Sequence, residues 1–181
     1  MTHRWIVTSL GKDRPGIVAG VTEVLYKLGC NLEDSSMTRL EGEFAIMLIF
    51  STSGRLTAEV LRRAFTTLER RLRLTVHLKP LTKPETGIPR KQGSVHLISV
   101  YGADRPGIVF KMAQAMARAG INITDVHTHR SAGKTQSLYL LLLEVELPPR
   151  RPVAALERHL QMVAKRLGVQ CSIRPADAAV L

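Results

Sequence analysis

The chain has 181 residues, 45% hydrophobic and 23% charged, proportions ordinary for a globular protein. Its N-terminus lacks the apolar core of a signal peptide, and no apolar run is long enough to cross a bilayer. Two cysteines, Cys30 and Cys171, form no metal-binding pattern, and a reduced cytoplasmic setting is expected.

Trp5–Leu10 is a short β-prone run ending at Gly11. A helix is expected next, with Pro15 in its first turn, where a missing amide costs nothing. Ile17, Val21, Val24, Leu25 and Leu28 mark its apolar face, and Gly29 ends it. Asn31–Thr38 reads as a strand, Leu40–Gly42 as a turn and Glu43–Ser51 as a second strand. Leu56–Leu72 follows as a helix with Leu61, Phe65, Leu68 and Leu72 on one side, then Leu74–Leu78 as a last strand. Residues 79–93 carry Pro80, Pro84, Pro89, Gly87 and Gly93, a linker by composition.

The order then repeats: Val95–Tyr101, Gly107–Ala119, Asn122–His129, Gln136–Leu147, Pro152–Leu167 and Val169–Arg174. Gly11-Lys12-Asp13-Arg14-Pro15-Gly16-Ile17-Val18 returns as Gly102-Ala103-Asp104-Arg105-Pro106-Gly107-Ile108-Val109. Aligned without a gap, residues 11–34 and 102–125 are identical at 10 of 24 positions. A period near 90 residues is too long for a solenoid and signals two copies of one small domain. The expected fold class is α+β, two β-α-β-β-α-β (ferredoxin-like) domains in tandem. The domains span 1–79 and 94–175, with a linker at 80–93 and a tail at 176–181.

The formal net charge of +11 is unevenly spread. Residues 1–54 hold five Lys/Arg and six Asp/Glu, residues 55–91 ten against three, and residues 92–181 eleven against six. The excess peaks in the helix around 56–72 and the linker, a stripe suited to nucleic acid or an acidic protein surface, or simply a solvated face. Phe44–Phe50 and Leu138–Leu143 are apolar on both faces of their strands. Helices cover only one face of such a sheet, so association through the sheet is expected, within the chain, between chains, or both.

In each copy a strand ends, Gly-x-Asp-Arg-Pro-Gly turns, and a helix begins whose first-turn amides lack internal acceptors. Gly16 and Gly107 leave room for a carboxylate to approach the main chain, and Asp13 and Asp104 offer acceptors for an ammonium group. Asn31 and Asn122 add an amide at the start of the next strand. Together these groups suit a free amino acid. A capping Asp before Pro-Gly and a Gly-x-Asn helix stop are also common structural devices, which duplication copies just as faithfully.

These residues resemble the ACT domain, a small-molecule-sensing module of ferredoxin-like fold marked by an Asp-Arg-Pro-Gly-like turn and a Gly-x-Asn exit. Two tandem copies without a catalytic domain are similar to the glycine cleavage system transcriptional repressor family, as is the stretch Gly29-Cys30-Asn31-Leu32-Glu33-Asp34-Ser35-Ser36 with Gly42-Glu43-Phe44 after it. The resemblance implies amino-acid binding at domain interfaces through Asp13, Pro15, Gly16, Ile17 and Asn31, and through Asp104, Pro106, Gly107, Ile108 and Asn122. It implies a small, glycine-like effector and a transcription-factor partner, with no DNA-binding domain in the chain; a homodimer is the expectation from the apolar sheet faces.

Other constellations point elsewhere only weakly. Asp125, His127 and His129 alternate on one strand, but the first copy has Asp34, Ser36 and Thr38 there, so no shared metal site is expected. RNA-recognition domains share the element order yet need stacking aromatics, and aromatic content here is 4%. Backbone attraction of nucleic acid through Arg62, Arg63, Arg70 and Arg71 of the 56–72 helix and Arg73 just after it is the alternative function. P-loop spacing, His-Glu-x-x-His and a nucleophile elbow are all missing, so the expectation is no enzyme, no cofactor and no membrane contact.

Overall fold

A computed structural model describes residues 2–54, 56–81, 93–131, 137–149 and 152–176. The chain divides into two compact units, Met1–Ile88 and Pro89–Leu181. The first contains β1 (Thr2–Lys12), α1 (Ile17–Lys27), β2 (Asn31–Leu40), β3 (Glu43–Ser53), α2 (Ala58–Leu72) and β4 (Thr75–Leu81). The second repeats this as β5 (Ser94–Ala103), α3 (Ile108–Arg118), β6 (Asn122–Ser131), β7 (Leu138–Leu147), α4 (Val153–Leu167) and β8 (Val169–Pro175). Each is the β-α-β-β-α-β, ferredoxin-like arrangement that the sequence predicts.

The sheets are antiparallel, ordered β2-β3-β1-β4 and β6-β7-β5-β8. Strand period places Phe44, Ile46, Leu48 and Phe50 of β3 on one face, where they pack with Trp5, Val7, Ile17, Val21, Leu25, Leu61, Phe65 and Leu68. The second core repeats this with Leu141, Leu143 and Val145 of β7 against Ile98, Val100, Met112, Met116 and Leu160. The alternate β3 residues Ala45, Met47 and Ile49 lie opposite Leu10, Thr8 and Ile6 on the other face. Met47 and Leu10 there are about half exposed, and the helices of the domain do not cover them. β2 is an edge strand with all ten residues exposed.

Helix starts differ from the sequence expectation. Gly16 has φ 92° and Gly107 φ 94°, left-handed values from which helix cannot propagate. Pro15 therefore lies in the turn before α1 and not in its first turn, and the second helix begins at Ile108, one residue after Gly107. Thr57 is extended and caps α2 by accepting from the Val60 amide at 3.4 Å, which leaves Leu56 outside the helix. Strands run longer than expected. β2 continues to Leu40 because Glu41 and Gly42, both at positive φ, close a tight hairpin to β3. β4 reaches Leu81 through Pro80, which an edge strand tolerates. Residues 82–92 and 177–181, most of the expected linker and tail, lie outside the described residues, as does Gln136. Among the described residues no helix is long and apolar enough to cross a membrane.

Candidate functional site

The repeated loop is held at both ends by main chain. Asp13 donates its amide to the Gly42 carbonyl at 2.9 Å, and Asp104 donates to Ser137 at 3.1 Å. Gly11 and Gly102 are needed for close approach: a Cβ would sit 2.8 Å from Leu74 Cδ2 in the first copy and 2.8 Å from Val169 Cγ1 in the second. Gly16 and Gly107 are different, because their φ excludes most side chains while the space outside them is open, with nothing within 4 Å of a Cβ position. Their carbonyls accept the first helical bonds from Gly20 and Lys111, and among the described residues neither helix has a side-chain cap. The first-turn amides of α1 and α3 thus open onto free space at the positive end of each helix.

Asp13, Pro15 and Gly16 are exposed on this loop, as are Asp104, Pro106 and Gly107. Ile17 and Ile108 are buried in their cores, so only their main chain faces the loop. Each Asp carboxylate meets an arginine from the adjoining edge strand: Arg39 Nη1 lies 3.3 Å from Asp13, and Arg130 Nη1 lies 3.6 Å from Asp104. The loop therefore combines an acceptor, a guanidinium and helix amides, both charges that an amino-acid zwitterion requires.

Asn31 does not join this group within its own domain. Asn31 pairs with Ser51, which pairs with Arg4, whereas Asp13 follows Lys12 at the other end of β1. Nine residues of strand, roughly 30 Å, separate the two levels. Asn122 pairs with Glu146 and through it with Val95, again far from Asp104. Asn31 instead borders a groove of about 480 Å³ shared with Thr22, Tyr26 and Cys30. Close by, the Arg4 guanidinium, 2.7 Å from Glu33, holds that carboxyl below its usual range.

The arginine of the motif has a distinct task, and sequence reasoning missed it. Arg14 donates to the carbonyl of Leu72, the last residue of α2, and its Nε is buried without a partner among the described residues. Arg105 lies against the end of α4, where a Cβ on Gly168 would come 3.1 Å from Nη1. A cation at a helix C-terminus satisfies free carbonyls and the dipole together. Arg14→Met is expected to destabilise the first domain by about 1.5–3 kcal/mol, with Arg14→Lys intermediate. Trp5 is the one tryptophan of the chain and sits in that core, so its fluorescence in a urea titration reads the loss directly. Arg39 and Arg130 were missed as well, although the offset of the repeat carries one onto the other; the sequence signal was there, beyond residue 125.

Two other side-chain groups carry less. His127 Nε2 lies 2.9 Å from Asp125 Oδ2 on the exposed edge strand, and among the described residues no three potential metal ligands converge. Burial raises the Cys30 thiol, and burial with Glu157 nearby raises Cys171 to about 11, so neither is an activated nucleophile at neutral pH.

A family model for the ACT domain matches residues 3–79 and 94–174. The glycine cleavage system transcriptional repressor of Escherichia coli (strain K12) is 26% identical over 177 residues, covering 94% of this chain and 89% of that protein. A crystal structure of an unknown protein from Galdieria sulphuraria superposes with a TM-score of 0.79 at 23% identity, covering 97% of this chain and 99% of the other. A solved structure assigned to a glycine cleavage system transcriptional repressor gives a TM-score of 0.67 at 20% identity, covering 96% and 97%. These two structures share the fold.

Proposed function

The chain belongs to the ACT-domain family, in tandem form, and from that premise we propose that it is a non-catalytic, cytoplasmic regulator. It binds a small amino acid at its ACT loops and thereby changes its association with a transcription factor. The observation that carries this reading is the twice-built loop, with an open left-handed glycine, first-turn amides that no side chain among the described residues caps, and an Asp–Arg pair at 3.3 Å and 3.6 Å. Glycine is the first effector to test, given the glycine cleavage repressor to which the chain is similar over 94% of its length.

The separation of Asn31 from Asp13 shapes the proposal. A site using both draws them from two domains. Antiparallel pairing of β2 with β2 of a second copy sets Asn31 of one beside Leu40 of the other, next to that copy's Asp13 loop. The exposed β2 edge supplies the free main-chain groups for such pairing. The ligand then favours the paired state only to the extent that it binds that state more tightly.

A thermal-shift screen of the twenty amino acids tests the reading. An effector at a hundred times its Kd is expected to stabilise the protein by about 2.7 kcal/mol, and the Asp13→Ala, Asp104→Ala double variant to lose that shift. A shift that survives both substitutions removes the site assignment. No response at millimolar concentration removes amino-acid sensing. Salt-dependent binding to duplex DNA, without an amino-acid response, would favour direct contact through the exposed Arg62, Arg63, Arg70 and Arg71 of α2 instead.

A further inference from the structure

Each domain has a groove where its two helices lie side by side, and the groove's charge differs between the copies. In the first domain it is about 250 Å³, lined by Glu23, Lys27, Thr67, Leu68 and Arg71 among others. Glu23 accepts from Lys27 at 2.6 Å, and Lys27 with the nearby Arg71 holds its carboxyl below the usual range. The acid offsets one of the two cations. Gly20 lets the helices close, since a Cβ there would meet Leu68 Cδ1 at 2.8 Å.

In the second domain the groove is about 360 Å³ and its lining is more basic. The offset that aligns the motifs carries Gly20 onto Lys111, Glu23 onto Gln114 and Lys27 onto Arg118. The buried positions Leu61 and Phe65 of α2 align with Leu156 and Leu160 of α4, which carries Ala64 onto His159 and Arg71 onto Arg166. The acid is gone and two basic side chains have arrived. Lys111, Arg118, His159 and Arg166 all line the groove, and among the described residues no carboxylate lines it and none of the four forms an ion pair. The Lys111 ammonium lies 5.2 Å from the centroid of the exposed Phe110 ring.

Strand directions make α3 and α4 antiparallel, so Lys111 faces the Arg166 end and Arg118 faces His159. The groove thus has the two cations Lys111 and Arg166 at one end and Arg118 beside the His159 imidazole at the other, roughly 10 Å apart by helical rise, with Ala115, Val163 and Leu167 between them. Like charges gathered in a cleft focus a positive field, and guanidinium groups match phosphate oxygens in geometry. The volume is that of a small-ligand pocket.

We infer that the α3–α4 groove binds a small molecule carrying two or more phosphate groups. The phosphates engage Lys111, Arg166, Arg118 and His159, and Gln114 contributes an amide where the first domain has a repelling carboxylate. This site is independent of the amino-acid loops.

The test is an amide NMR titration of the full chain with inorganic pyrophosphate, with orthophosphate in parallel and affinity measured by calorimetry at two salt concentrations. Saturable shifts confined to α3 and α4 are expected, with the α1–α2 groove unmoved and orthophosphate at least tenfold weaker. Gln114→Glu, which gives the second groove the acid of the first, should weaken pyrophosphate at least tenfold. Arg118→Gln with Arg166→Gln should abolish it while amide dispersion confirms the fold. Shifts spread over both helix pairs, or unchanged affinity in Gln114→Glu, would overturn the assignment. Tighter binding of duplex DNA than of pyrophosphate through the same four residues would replace the small molecule by a nucleic-acid backbone and overturn it too.

Discussion

Phe65→Ala is expected to destabilise the first domain by about 3–5 kcal/mol. Phe65 is 1% exposed at the middle of α2, in the core formed with Phe44, Leu48 and Phe50 of β3, Ile17 and Val21 of α1, and Trp5 of β1. Removing the ring loses the transfer free energy of its carbons and leaves a cavity that a small core closes only in part. A domain of this size buries a limited share of its surface and has little stability in reserve. The readout is again Trp5 fluorescence in urea, where a slope of about 1 kcal/mol per molar turns the loss into a midpoint drop of several molar or outright unfolding. Phe65→Leu, which keeps most of the volume, should cost about 1 kcal/mol. A midpoint within half a molar of the parent for Phe65→Ala would show that α2 is not packed on the sheet through this residue.

The second large effect is expected at the β2 edge. If two copies pair there, the parent protein sediments as a dimer, and a proline that removes an outward N–H lowers dimer affinity at least a hundredfold. Successive strand residues direct their amides to opposite sides, so one of Ser36→Pro and Met37→Pro strikes the β2–β3 ladder and the other only the free edge. Trp5 emission and a native urea midpoint identify the variant that spares the ladder. That variant should be monomeric at concentrations where the parent is dimeric, and should lose any amino-acid-dependent thermal shift, because Asn31 then has no second loop to reach. Both variants retaining the parent's mass would remove the β2 edge as the pairing surface.

Much of the architecture was legible from residue periodicity. Of the four residues that periodicity places on the apolar face of α2, Leu61, Phe65 and Leu68 are buried and Leu72 is half-buried. The apolar run Phe44–Phe50 lies in a strand, as its composition predicts, and the duplicated Asp-Arg-Pro-Gly marks two domains. Helix starts were less legible, because Pro15 and Gly16 satisfy both a helical first turn and a left-handed turn. The choice was made by φ 92° at Gly16, a value the whole β1–α1 connection imposes.

The loop chemistry divided in the same way. The sequence by itself determined which groups recur: Asp13 with Asp104, Gly16 with Gly107, Asn31 with Asn122, and also Arg39 with Arg130. Their recurrence follows from duplication, which needs no knowledge of distance. Only the tertiary structure decided which of them meet. Strand register carried Asn31 to the far end of the sheet from Asp13, and hairpin closure at Gly42 brought Arg39 back beside Asp13. Within each domain the packing of the second helix gave Arg14 the Leu72 carbonyl at the end of α2 to hold and set Arg105 against Gly168 at the end of α4. Spacing along a chain fixes a face or a turn, but proximity across a sheet depends on pairing partners tens of residues apart, and those are set by the core as a whole.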